Sequence, residues 1–130
     1  MGSTESFMDN KGNITLTQGD SFEFVVNDLP VVEGAKLFFA AQDEERNPVG
    51  NEIEVDVLSS STTVFLDADF TDLLVVSEDK KTQNYYYGLK LTYPDGLKRV
   101  EKTLNIGGKN IGDLNVITVY PRKVKGPSYV

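Results

Sequence analysis

The chain contains no cysteine, no histidine and no tryptophan. Without cysteine no disulfide can form, so the apolar core alone must hold the fold in any redox compartment. Zinc sites draw on Cys and His ligands, and both are missing. The commonest catalytic bases and nucleophiles are missing with them. Serines and threonines are plentiful, but they fall in turns and on strand exteriors with no imidazole or thiolate beside them. The expectation is a protein that is not an enzyme and carries no cofactor and no metal. Long apolar runs are also absent: nothing approaches the roughly 18 residues of a spanning helix. The polar start, Met1-Gly2-Ser3-Thr4-Glu5-Ser6, lacks the apolar stretch of a signal peptide.

Positive charge is scarce as well. Thirteen Lys and Arg face 20 Asp and Glu, for a net charge of −7 and a pI near 4.5. Such a surface repels nucleic acid and anionic membranes, so neither is expected as a partner. The scarce cations are unevenly spread. The last ten residues hold Arg122, Lys123 and Lys125 and no acid, a charge of +3 that leaves −10 on the first 120 residues. With 39% hydrophobic and 25% charged residues in 130, what remains is the composition of one globular domain.

What is present is alternation. Asn13-Ile14-Thr15-Leu16-Thr17 alternates apolar and polar, the period of a strand with one buried face. Phe22, Phe24 and Val26 share one face of the next run. Residues 36–41 are apolar on both faces, which calls for a central strand covered on both sides or an apolar patch on the outer face. A polar loop over 44–50 leads to a strand with Ile53, Val55 and Val57 inward and Glu52, Glu54 and Asp56 outward. Thr63-Val64-Phe65-Leu66 follows. Residues 69–76 read as one helical turn, capped by Asp69 or Thr71, that crosses between sheets. Tyr85, Tyr87, Leu89, Leu91 and Tyr93 line one face of a long strand. Pro94-Asp95-Gly96 reads as a hairpin turn with Pro94 and Asp95 at its centre. The return strand turns Val100, Leu104 and Ile106 inward, and Lys102 interrupts that face as a bulge or an edge position would. A last strand occupies 114–120. These elements predict an all-β chain: an antiparallel immunoglobulin-like β-sandwich of seven to eight strands with one short helical turn. Residues 1–12 read as a flexible lead-in, 13–120 as the sandwich and 121–130 as a basic tail.

Three clusters have chemical readings and plainer ones. Asp67-Ala68-Asp69 with Asp72 is the only carboxylate group suited to a hard cation, yet it lacks the Gly and closing Glu of a calcium loop, and a capped corner explains it. Gly107-Gly108-Lys109-Asn110-Ile111-Gly112 lacks the order of a phosphate loop and has no helix pattern after it, so a hairpin loop explains the glycines. Tyr85-Tyr86-Tyr87 could stack on a sugar, but alternation leaves only Tyr86 outside. The candidate partner contacts are therefore Phe38 and Tyr86 on strand exteriors, with Tyr120, Arg122, Lys123, Lys125 and Tyr129 at the C-terminal end.

The order of segments carries a family likeness. It runs Ile14-Thr15-Leu16-Thr17-Gln18-Gly19-Asp20-Ser21-Phe22, then Gly34-Ala35-Lys36-Leu37-Phe38-Phe39. Val64-Phe65-Leu66 stands before an Asp-rich turn, and Tyr86-Tyr87-Gly88-Leu89-Lys90-Leu91-Thr92-Tyr93-Pro94-Asp95-Gly96 closes the series. This resembles the β-sandwich domains of phage baseplates and tails, in particular the N-terminal module of upper baseplate proteins from phages and prophages of Gram-positive bacteria. The resemblance covers residues 13–106; the remainder is longer than the short terminal strand of that pattern. It implies a virion structural module, made in the bacterial cytoplasm. Its partners would be other tail or baseplate proteins or further copies of itself. No catalytic residues come with it. The alternative is a module that binds carbohydrate or a cell surface, which calls for a concave groove with exposed Tyr and convergent polar side chains.

Overall fold

The computed structural model describes residues 6–107 and 113–123. Among them run strands β1 (Phe7–Met8), β2 (Ile14–Thr17), β3 (Phe22–Val26), β4 (Lys36–Gln42), β5 (Pro48–Asp56) and β6 (Thr62–Leu66). Helix α1 (Ala68–Asp72) follows, then β7 (Gln83–Asp95), β8 (Lys98–Leu104) and β9 (Asn115–Tyr120). The described residues are all-β apart from that one helical turn. Two sheets divide the strands. The larger has the order β1-β2-β9-β7-β4-β5, with β8 also paired to β7, and the smaller holds β3 and β6. Strand β7 is long enough to serve two neighbours along one edge: β9 pairs with 83–87 and β8 with 89–95.

Alternation decides which side chains meet between the sheets. Ile14 and Leu16, Ile117 and Val119, Leu37 and Phe39, and Tyr85 through Leu91 at every second residue are buried from the large sheet. Phe24, Val26, Val64 and Leu66 answer them from the small one. Fully burying a side chain of this size contributes about 1.5–3 kcal/mol. The centre is aromatic. Phe39 and Tyr87 stack with centroids 5.2 Å apart, and Phe24 reaches across from β3 to within 5.9 Å of Tyr87 and 6.1 Å of Phe39.

The turns have local causes. Asp9 and Asp43 open two turns of one design, Asp-x-x-x-Asn. Each aspartate accepts from the backbone N–H groups two and four residues on, and its own N–H donates to the carbonyl of that Asn. Those N–H groups, Asn47 first and then Glu45, hold the Asp43 carboxyl below its ordinary value. Asp67 caps α1 by accepting from Phe70 N–H at 2.8 Å. It takes the role expected of Asp69 or Thr71. Gly50 sits at φ +71° where β5 slips register against β4, and a Cβ there would lie 3.0 Å from the Phe70 ring. The missing side chain is what lets α1 pack on β5.

The strand pairing, strand count and hairpin turn also depart from the sequence reading. The pairing is not wholly antiparallel: β2 lies parallel to β9, with Ile14 opposite Ile117 and Thr17 opposite Tyr120. Alternation is the same for both pairings, and a parallel partner requires a long crossover, here nearly the whole domain. The strands among the described residues number nine rather than seven or eight, because Phe7–Met8, within the expected lead-in, pairs with β2. The β7–β8 turn is centred two residues later than expected. Asp95 faces Lys98, so Gly96 and Leu97 form the loop, and Gly96 takes φ +64° as the first residue of a type II′ turn does. Pro94 and Asp95 belong to the strand.

Candidate interaction face

One face of the large sheet holds the core; its opposite face is left open by the described residues. On β4, the residues between the buried ones are Lys36, Phe38, Ala40 and Gln42. On β7 they are Asn84, Tyr86, Gly88 and Lys90, and on β9 Val116, Thr118 and Tyr120. The registers align them into rows: Phe38 faces Lys90, Ala40 faces Gly88, Gln42 faces Tyr86, and Tyr86 faces Val116. Phe38 and Tyr86 are half-buried, and Tyr120 and Phe7 at the far side are 46% and 52% exposed. The expected outer-face patch on residues 36–41 is therefore present, as the second of the two alternatives. Phe38, Tyr86 and Tyr120 share this face.

The centre of the face is a depression of about 250 Å³, lined among others by Phe38, Ala40, Gly88, Lys90, Thr103 and Leu114. Its floor is the pair Ala40–Gly88. A Cβ built on Gly88 would find Leu114 Cδ2 as its nearest described neighbour, at an ordinary 3.8 Å. The packing around Gly88 therefore has room for a side chain. Glycine inside a strand is less stable than alanine by about 0.5–1 kcal/mol, and such glycines commonly mark the close approach of a ligand or another backbone. Ala40, Gly88 and Leu114 were not singled out from the sequence. The signal that could have found them was a glycine inside a strand pattern.

The remaining candidates lie elsewhere. Arg122 is ion-paired with Asp72 at the end of α1, where Gln18 also donates to the Asp72 carbonyl at 2.9 Å. Its guanidinium is engaged with this chain. Lys123 is exposed, and Lys125 and Tyr129 fall outside the described residues. Asp67 and Asp72 are spent on the cap and the ion pair, and among the described residues no group of three acids is gathered to hold a metal. The glycine-rich loop falls outside the described residues over 108–112. No helix among the described residues is long and apolar enough to cross a membrane.

Two electrostatic features border the face. Lys36 Nζ donates to Glu54 at 2.7 Å and to Asp56 at 3.0 Å, and these partners raise its pKa. Beneath the face, Tyr85 donates to the Val75 carbonyl at 2.5 Å and Tyr87 to the Gly12 carbonyl at 2.6 Å; burial pushes both phenols up. These phenols stay neutral at ordinary pH and act as structural donors. Comparison of the chain with family models, curated proteins and solved structures gives no match.

Proposed function

We propose that the chain is a non-enzymatic assembly module of a phage or prophage tail or baseplate, an immunoglobulin-like sandwich that packs the open face of its large sheet against another protein. The observation that carries the reading is the apolar and aromatic centre of that face, Phe38 beside the Ala40–Gly88 floor with Tyr86 and Val116 in the neighbouring row. A sheet whose other face already fills the core gains nothing for its own folding by presenting such a surface. The virion setting rests on the segment order over residues 13–106.

Three features support the immunoglobulin-like reading. The order β2-β9-β7-β4-β5 opposite β3-β6 matches an A′-G-F-C-C′ sheet facing a B–E pair, with β8 inserted before the last strand. Tyr85, near the start of the F-like strand, donates back to the carbonyl of Val75 in the preceding connection, as a tyrosine corner does. Two residues on, where antibody domains place a cysteine, stands Tyr87, packed on Phe24 and Phe39. In this cysteine-free chain that aromatic trio stands where the inter-sheet disulfide and its tryptophan would be.

The test is co-expression with the products of neighbouring genes. The expected result is a stable complex with a tail or baseplate protein that Phe38→Glu combined with Tyr86→Asp releases. Failure to bind any of them, or a complex indifferent to both substitutions, would count against the reading. The carbohydrate alternative draws on Tyr120 with Thr15, Thr17 and Thr118 beside it, but the depression next to Phe38 is lined by neither Tyr86 nor Tyr120. Binding to a glycan in place of a protein would select it.

A further inference from the structure

Only two strands, β3 and β6, face the seven of the large sheet, and among the described residues β3 pairs with β6 and with nothing on its other side. A cleft of about 500 Å³ lies along that other side. Residues 25–30 line it without interruption, Val25 from the exposed face of β3 and Val26 from the buried one. Successive side chains of a strand point to opposite faces, so a wall that takes in both is the strand's edge. No residue of β6 lines the cleft, which places it on the unpaired edge.

The opposite wall is the core face of the β7–β8 hairpin and the residues just after it. Leu91 is buried there, while Tyr93, Leu104 and Ile106 pack against the core and are only half-buried. Lys102 stands among them: its register partner is Leu91, as that of Leu104 is Leu89, so it shares their face. Its Nζ lies 6.0 Å from the centre of the Tyr93 ring. Among the described residues Lys102 makes no ion pair, and Asp28, the other charged side chain on the lining, is not its partner. An unpaired edge offers a row of N–H and C=O groups that another extended backbone satisfies in register. A strand laid there, about 4.8 Å from β3, turns every second side chain down onto the apolar wall and the others out beside Val25. Of the inward side chains, the one that meets the Lys102 ammonium is best a carboxylate, which makes a charge-assisted contact with it.

We propose that the cleft takes an extended segment of a partner protein as a third strand of the small sheet, paired with the edge of β3, its inward side chains apolar except for one Asp or Glu at Lys102. Main-chain pairing supplies the affinity, and the apolar wall with its single cation supplies the preference for sequence. This inference rests neither on the outer face of the large sheet, which lies on the other side of that sheet, nor on a virion setting.

Fluorescence anisotropy of a short, end-capped peptide titrated with the full chain tests it. The peptide alternates valine and threonine, with glutamate in place of its central valine. Saturable binding is expected, and the same peptide with lysine in place of the glutamate should bind at least about tenfold more weakly. An extended strand turns alternate amides to opposite sides, so N-methylation of one alternate set should abolish binding and N-methylation of the other should spare it. Lys102 is exposed, and Lys102→Glu should invert the preference between the two peptides. Lys102→Ala removes the charge alone and should make them equal; circular dichroism checks both folds. No saturable binding, equal binding of the two peptides to the parent, the same loss from both methylated sets, or an unchanged preference in the folded Lys102 variants overturns the proposal.

Discussion

The hydroxyl of Tyr87 donates to the carbonyl of Gly12 across 2.6 Å, tying the middle of the longest strand to the first turn of the domain. The Asn115 amide fastens the same turn from β9 by donating to the Lys11 carbonyl at 2.9 Å, and to the Ile106 carbonyl at 3.3 Å. Tyr87→Phe keeps the stack on Phe39 but leaves a carbonyl without its donor beneath the turn. The expected loss is about 1–3 kcal/mol, the penalty of an unsatisfied buried group. Urea denaturation measures it, and an unchanged slope against denaturant would show that compactness is kept.

Alkaline pH acts on the same residue. Burial, with a smaller push from Asp9, raises the Tyr87 phenol above its ordinary value of 10.0, and burial does the same at Tyr85. Below that value folded and unfolded chains both keep the proton, and stability does not change on this account. Above it the unfolded chain releases protons that the folded chain holds. Stability therefore falls as pH rises from the unfolded value toward the raised folded one, at up to about 1.4 kcal/mol per pH unit for one such phenol. Denaturation at a series of alkaline pH values should show this decline, and Tyr87→Phe should flatten it.

Two glycines should answer alanine substitution in opposite ways. Gly50 has a positive φ and the Phe70 ring 3.0 Å from the site of a Cβ. Gly50→Ala should cost about 1–3 kcal/mol, the strain of a side chain in that backbone region. Gly88 lies in ordinary strand with space above it. Gly88→Ala should leave thermal stability unchanged or raise it by up to about 1 kcal/mol. Thermal denaturation of both variants reads the difference.

The strands and their inward faces were legible in the sequence because burial repeats every second residue. Depth was not. Ile53, Val55 and Val57 were correctly assigned to one face, yet Val55 is half-buried while Leu37, its partner across the β4–β5 pair, is fully buried. A period of two reports the face and is silent on whether the strand is central or at an edge. For the same reason the sequence could not show that β2 pairs with β9. Phe38 and Tyr86 could be picked out as outer-face aromatics, but only the register brings Ala40 beside Gly88 and makes a floor between them. Leu37→Asp should therefore unfold the domain, with Val55→Asp milder and Glu54→Gln within about 0.5 kcal/mol of the parent. Chemical denaturation of the three gives the order.

Docking of protein on the outer face of the large sheet, over the Ala40–Gly88 floor, can be read by affinity. Its most direct test is calorimetric titration of the full chain and of Gly88→Leu against the tail or baseplate protein recovered by co-expression. Leucine at 88 fills the depression without entering the core. The parent is expected to bind, and the folded variant to bind at least tenfold more weakly, a difference of about 1.4 kcal/mol. Equal affinity of the two would contradict it.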